Sequence, residues 1–170
     1  MTDTTANIVH RTAVEADFPA ILEYYDKFDH HMRSLEYTLP GVENVAQAWL
    51  DSFRRTLGRF SQIFIVEVEG QVLGFIRCRI KRVPPYMGDV MVGELMEVWV
   101  EPAARRAHSG ETLTRMCIDW MKEQGVHSVE VQILLDNEPS INMCKGLGMK
   151  PELVQLRLKW EDYVSKRVEK

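Results

Sequence analysis

Between the apolar run 91–100 and the amphipathic stretch that begins at Gly110, the sequence reads Glu101-Pro102-Ala103-Ala104-Arg105-Arg106-Ala107-His108-Ser109-Gly110. A loop that feeds directly into a helix start presents free backbone N–H groups and the positive end of a helix dipole. That combination attracts anions, phosphate most often. Arg105, Arg106 and His108 bring basic groups to this loop in a chain that is acidic overall, with 21 Lys and Arg against 25 Asp and Glu and a net charge of −4. The plainer alternative is a solvated connector with two surface arginines, because every strand-to-helix junction shares some of this potential. The negative balance argues against a nucleic-acid binder that works by neutralising phosphates.

Other reactive side chains point to less. Cys78, Cys117 and Cys144 are widely spaced and form no CxxC pair, so neither a disulfide framework nor a cysteine zinc site is expected. His30-His31 with Arg33 falls near the end of a helical stretch. Adjacent histidines diverge on a helix, and no further ligand follows at zinc-site spacing, so no metal is expected. The start MTDTTANIVHR lacks a basic stretch followed by an apolar run, and no apolar stretch approaches the roughly 18 residues that cross a bilayer. A cytoplasmic protein with reduced thiols, bound neither to membrane nor to nucleic acid, is the expectation.

At 170 residues the chain is expected to be one domain, 1–170, with a core large enough to need no staples. Residues 7–11 read as a short strand. Asp17-Phe18-Pro19 then signals a helix start, followed by Phe18, Ile21, Leu22, Tyr25 and Phe28 at helical spacing. Leu39-Pro40-Gly41 breaks that element, and Val42, Val45, Ala46, Trp49, Leu50 and Phe53 form a second helical stripe. Residues 63–68 and 72–80 read as a hairpin around Glu69-Gly70, and 91–100 as a further strand. Leu113, Met116, Cys117, Trp120 and Met121 mark the clearest helix, which Gly125 stops. A strand over 129–135 and a short helix from Asn137-Glu138-Pro139-Ser140 to Gly146 or Gly148 follow. Alternation over 153–160 predicts a half-buried antiparallel strand before a solvated tail. The order implies a mixed sheet with helices on both faces.

With these elements in order, the chain resembles the GNAT superfamily of N-acetyltransferases over nearly its whole length. Arg11-x-Ala13-x-x-x-Asp17-x-x-x-Ile21 is similar to the family's opening strand and helix. Val100-x-Pro102-x-x-Arg105 followed by Gly110 and Leu113 resembles its acyl-CoA pyrophosphate loop. Asn137-Glu138-Pro139-Ser140 with Leu147-Gly148-Met149 resembles its second signature, usually Asn-x-x-Ala ending in Gly-Phe. The resemblance implies an α/β fold with a central, mostly antiparallel mixed sheet that splays into a V and carries helices on both faces. It implies acetyl transfer from acetyl-CoA, as co-substrate, to a primary amine of a small molecule or protein by direct attack.

By position, the resemblance assigns the pantetheine arm to the strand segment with Glu97, Val98, Trp99 and Val100. It assigns the pyrophosphate to Arg105, Arg106, Ala107, His108, Ser109 and Gly110, and the far side of the arm to Asn137 and Ser140. A strand N–H at Val98 or Trp99 would stabilise the thioester oxygen, and Glu97 or Glu94 would deprotonate or place the amine. In a regular strand these two glutamates face opposite sides; a bulge changes that. Two departures stand out. The loop carries Arg106-Ala107-His108 where the family favours glycines that admit phosphates closely, and Cys144 replaces the usual Tyr proton donor. The amine acceptor is unspecified; Glu23, Asp26, Asp29 and Glu36 favour a cationic one, while Tyr24, Tyr25, Tyr37, Tyr86 and Trp49 are pocket or core residues. The competing readings are a non-catalytic acyl-CoA-binding or regulatory module on the same fold, and an interaction domain without CoA. A homodimer is left open.

Overall fold

Sheet pairing places the first strands where the apolar patterns put them. The computed structural model describes residues 7–105 and 107–168, with the backbone alone over 165–168. The chain forms two units, Met1–Glu138 and Pro139–Lys170. The first contains β1 (Ile8–Thr12), α1 (Phe18–Ser34), α2 (Val45–Phe53), β2 (Ser61–Val68), β3 (Gln71–Arg82), β4 (Met91–Val100), α3 (Pro102–Arg105), α4 (Ser109–Glu123) and β5 (Ser128–Val131). The sheet order is β1-β2-β3-β4-β5. The first four strands pair antiparallel, and β5 joins β4 in parallel.

Local chemistry explains these elements. Glu69 and Gly70 both have positive φ, 50° and 78°, as a two-residue type I′ turn requires, and Val68 pairs with Gln71 across it. At the start of α1, the Arg11 guanidinium of β1 donates to both oxygens of Asp17, at 2.7 and 2.9 Å. The Val14 N–H donates to the same carboxylate at 2.7 Å. The Arg11 hydrogen bonds hold the Asp17 carboxyl below its usual range despite burial that opposes them. Arg11 also donates to Glu67 of β2, so one side chain ties two strands to the helix start.

Both sheet faces are covered. On one, Ile21 and Tyr24 of α1 and Trp49, Leu50 and Phe53 of α2 pack on Ile63, Ile65 and Phe75. Tyr25 stacks on Trp49 at 4.3 Å between ring centres, and Phe53 and Phe75 meet Trp49 edge-on. On the other lie Leu113, Cys117 and Met121 of α4, all fully buried. A Cβ on Gly93 would fall 2.3 Å from the Met121 sulfur, so that strand position must be a glycine for α4 to lie this close. Cys117 contacts Cys78 beneath α4; burial, then a hydrogen bond with that thiol, raise its pKa. All three cysteines are free thiols.

In the second unit, α5 runs from Glu138, the last residue of the first unit, to Gly146. It stops at Gly148, which has φ 90°, with the Met149 N–H returning to the Cys144 carbonyl. The expected strand over 153–160 is absent. Residues 151–159 have no regular structure, and α6 (Trp160–Val168) follows. Alternation makes a strand only where a neighbour accepts its N–H and C=O groups and covers one face; none does so among the described residues. For the same reason β5 stops at Val131 rather than 135. Val42 lies outside α2 and is exposed, because the helix starts only after Asn44, a left-handed residue.

Gly74 fixes how closely β3 and β4 approach. A Cβ there would sit 2.6 Å from the Trp99 carbonyl oxygen and 2.9 Å from the Val100 Cα, both backbone atoms. Gly74→Val should lower unfolding free energy by about 2 kcal/mol or more in urea melts; an unchanged midpoint would show that the strands separate without cost.

Candidate active site

A single extra residue in β4 organises the site. Cys78 pairs with Leu95 and Ile76 with Val98, so Arg77 alone stands opposite both Met96 and Glu97. This β-bulge reverses the alternation. Glu94 lies across from Arg79, and Glu97 reaches Arg77, which shares a face with Arg79. The odd spacing of the two glutamates therefore ends with both on the face covered by α1 and α2.

Each carboxylate has a cation. The Arg77 Nε–H donates to Glu97 Oε2 at 2.7 Å and its Nη2 to Oε1 at 3.1 Å. Both side chains are largely buried, and the guanidinium carbon lies 4.2 Å from the Phe53 ring centre and 5.8 Å from that of Trp49. Glu94 is paired with Arg79 and accepts from Lys81 at 2.6 Å; Lys81 also donates to Glu130 of β5 at 2.6 Å. Burial pushes the Glu94 carboxyl up, but hydrogen bonds from Arg79 and Lys81 outweigh it and hold the group below its usual range. Tyr25 is raised far above an ordinary phenol, first by burial and then by the charges of Glu97 and Asp29.

Past the bulge, β4 loses its second neighbour. The β4–β5 pairing ends at Leu95 and Val131, so 96–100 has β3 on one side only. The Glu101 N–H donates to the Leu73 carbonyl at 2.8 Å. In an antiparallel ladder the direction alternates, so Trp99 also bonds β3 while Val98 and Val100 turn their backbone groups to the open side. The Arg105 Nε–H, donating to the Val100 carbonyl at 2.7 Å, fits that direction. Of the two N–H groups expected to face a thioester oxygen, Val98 is the one presented and Trp99 is consumed.

The strand then enters the loop. Arg105 ends α3 and turns back to β4, its guanidinium carbon 5.8 Å from the Trp99 ring centre, rather than standing as a free charge in the loop. Arg106 lies outside the described residues. His108 has φ 54° and no side chain caps α4. The first helical bond runs from the Thr112 N–H to the His108 carbonyl at 3.0 Å. The N–H groups of Ser109, Gly110 and Glu111 precede it and have no helical partner. Ser109 is fully buried, and its hydroxyl has no hydrogen-bond partner among the described residues. Ala107 and Gly110 are half-buried in the same turn.

Asn137 immediately precedes α5, its N–H donating to the Leu134 carbonyl at 3.0 Å. In the second unit, Ser140 and Cys144 lie along α5; burial raises the Cys144 thiol, which stays neutral at physiological pH. A recess of about 510 Å³ lies between α1 and Trp99, lined by Asp26, Lys27, His30, His31 and Ser34. His31 meets the Trp99 ring edge-on at 6.1 Å, so both histidines border one recess although they are adjacent. Tyr24 and Trp49 are core residues, while Tyr37 and Tyr86 are exposed. Among the described residues no three His, Cys, Asp or Glu side chains gather as a metal site.

A bulge, a strand end with a neighbour on one side only and an uncapped helix start follow one another along the chain. The sequence model of the acetyltransferase (GNAT) family matches residues 22–149. The chain belongs to the GNAT family. A mycothiol acetyltransferase of Renibacterium salmoninarum is 26% identical over 122 residues, which are 71% of this chain and 33% of that protein. This GNAT chain thus spans about a third of the length of that relative. A phosphinothricin N-acetyltransferase of Streptomyces viridochromogenes is 28% identical over 140 residues, 81% of this chain and 72% of that one. In fold, the chain is similar to a predicted acetyltransferase of Clostridium acetobutylicum solved with acetyl-CoA, with a TM-score of 0.72 at 15% identity over 92% of this chain and 98% of that one.

The cations that govern this GNAT site, Arg77, Arg79 and Lys81, were not singled out in the sequence. Their signal is there: three basic residues at alternate positions, 77, 79 and 81, in the second half of one strand, opposite a strand with two glutamates. Because the folded Glu94 carboxyl is held low, its stabilisation is complete above the unfolded value of about 4.3 and fades as pH falls through the folded one. Glu94→Gln should lower stability at pH 7 by about 1–3 kcal/mol and flatten the acid side of the stability profile. Parallel profiles for both proteins would show that Glu94 draws nothing from its partners.

Proposed function

We propose that this chain is an acyl-CoA-dependent N-acetyltransferase that transfers acetyl from acetyl-CoA to a primary amine, with 1–170 acting as one catalytic domain. The observation that carries this is the open backbone edge of Val98 and Val100, beyond the bulge and the end of the β5 pairing, followed after α3 by the α4 N-terminus. Membership of the GNAT family and the fold shared with a protein solved with acetyl-CoA support the reading. The family match also runs across the division between the two units.

In this account the pyrophosphate is held by the N–H groups at Ser109, Gly110 and Glu111, and the buried Ser109 hydroxyl supplies a further donor. Arg106 and His108 are further pyrophosphate contacts assigned by the resemblance. The pantetheine amides bond the Val98–Val100 edge, as an added strand would, with Asn137 and Ser140 as further contacts assigned by the resemblance. The thioester carbonyl receives the Val98 N–H. The amine nitrogen attacks that carbon, charge develops on the oxygen, and the N–H stabilises it. The C–S bond then breaks, leaving the amide and the CoA thiolate.

Glu97 is the better candidate of the two carboxylates. It sits on the bulge itself, beside the open edge, whereas Glu94 is held by two cations and its basicity is reduced. With both oxygens engaged by Arg77, Glu97 attracts and orients an ammonium and takes its proton through water. The neutral Cys144 thiol is the assigned donor to the departing sulfur. The ion pairing of both carboxylates, with the loop and Cys144 departures, favours a non-catalytic acyl-CoA-binding module instead.

Calorimetry should show acetyl-CoA binding to the wild type, weakened tenfold or more by Gly110→Val. A thiol-release assay across primary amines should then find an acceptor whose kcat falls about 10²-fold in Glu97→Gln. No binding at millimolar acetyl-CoA would end this reading; binding without turnover on any amine would establish the non-catalytic module.

A further inference from the structure

A second pocket opens where the end of α2 meets β2 and β3. Its volume is about 230 Å³, the share of roughly seven or eight water molecules in the liquid, which suits a small molecule or one end of it. Phe53 and Phe60 give it apolar walls, and Arg77 and Arg79 reach it from β3. Among the described residues no carboxylate lines it. Glu94 and Glu97 pair with the two guanidinium groups from β4 and are not part of the lining. Arg59 brings a third cation, its guanidinium carbon 4.7 Å from the centre of the Phe60 ring.

Donor capacity is left over at this pocket. Arg77 spends Nε and Nη2 on Glu97, and Arg79 spends Nε on Glu94. Nη1 of Arg77 and both terminal nitrogens of Arg79 have no hydrogen-bond partner among the described residues. The hydroxyls of the lining have already given their protons to backbone carbonyls: Ser52 to Trp49 at 2.6 Å, Thr56 to Phe53 at 2.7 Å and Ser61 to Cys78 at 3.0 Å. An anion here is therefore held by the arginines, whose planar N–H fork matches a carboxylate. The pocket also continues the line of the acyl-CoA site proposed above. With the thioester at Val98, the next groups along the sheet are Glu97 with Arg77, then Glu94 with Arg79.

We propose that this pocket holds a carboxylate of the acceptor, which makes the acceptor a small zwitterion with its reacting amine at Glu97 and its carboxylate on Arg77 Nη1 and Arg79. The inference rests on the acetyl-transfer reading and names the substrate class for that site. Spacing narrows the class. Glu97 occupies the Nε–Nη2 edge of the Arg77 guanidinium, and the free Nη1 lies away from it. With a hydrogen bond of about 2.9 Å on each side of the group, the two ends of the acceptor are held about 6 Å or more apart. An α-amino acid, with one carbon between its charged groups, is too short. An amino acid with its amine at the far end of the chain, about three to five carbons from the carboxylate, spans the gap. Its ammonium gives one proton to the water beside Glu97 and the nitrogen attacks the thioester carbon. The C–S bond breaks, the second proton goes to the departing thiolate, and the products are the N-acetyl acid and CoA.

The test is thiol release at saturating acetyl-CoA over unbranched amino acids with a terminal amine, from glycine to aminooctanoate, beside their amides and the matching amines without a carboxylate. kcat/KM should peak between aminobutyrate and aminohexanoate and exceed that of the matching amide by about 10²-fold or more. Arg79→Gln should raise KM tenfold or more and erase the preference for carboxylate over amide. Ser52→Phe, which fills the pocket from an exposed helix position, should raise KM likewise. Both variants should bind acetyl-CoA in calorimetry as the wild type does. Acetylation of amines with no gain from the carboxylate, or with a gain that survives Arg79→Gln, overturns the proposal and leaves acetyl transfer standing. An optimum at glycine overturns it too, because both ends would then lie on one side of Arg77. Acetyl-CoA binding without turnover on any amine, or no binding at all, removes both readings together.

Discussion

The bulge at Met96-Glu97 is the constraint on which the site depends. One extra residue opposite Arg77 changes which face Glu97 occupies, and it comes just after β4 parts from β5. Side-chain chemistry and backbone chemistry are thereby brought to one place. The carboxylates turn towards α1 and α2, while the Val98 and Val100 backbone groups turn to the open edge.

Holding Glu97 in a half-apolar setting requires Arg77. Its guanidinium lies on Phe53 and near Trp49, so the aromatic cluster that closes the α1–α2 face also positions the cation. Removing one member of such a buried pair typically costs about 3–5 kcal/mol, because the remaining charge is left without a partner. The site and the core are thus not separable on this face: Tyr25, Trp49, Phe53 and Arg77 pack as one group around the carboxylate. On the opposite face, α4 lies against Gly93 through Met121 of its buried stripe and presents an uncapped N-terminus after the end of β4.

Much of this was legible in the sequence. Pro19 and Asp17 marked the start of α1, Glu69-Gly70 the hairpin, and Gly125 the end of α4, because each reflects a local backbone requirement. The loop from Pro102 to Gly110 was legible as a strand-to-helix junction with free N–H groups at the start of α4 for the same reason. The bulge entered only through the family resemblance, since an extra residue leaves no signature in side-chain type; Met96 and Glu97 suit a regular strand equally well. The direction of Arg105 was missed because its preferred acceptor, the Val100 carbonyl, exists only once β4 ends in an open edge. The strand over 153–160 failed for a different reason. Its alternation is real, but pairing is decided by a neighbour that the alternation itself cannot supply.

Backbone amide exchange followed by NMR, with and without saturating acetyl-CoA, addresses the open edge most directly. The account predicts that the Val98 amide exchanges readily in the free protein and becomes strongly protected with acetyl-CoA, together with those of Ser109, Gly110 and Glu111. Trp99, already bonded to β3, should change little. Saturating acetyl-CoA that leaves Val98 as fast as before, or protects Trp99 instead, would contradict the assignment of this edge as the acyl-CoA site.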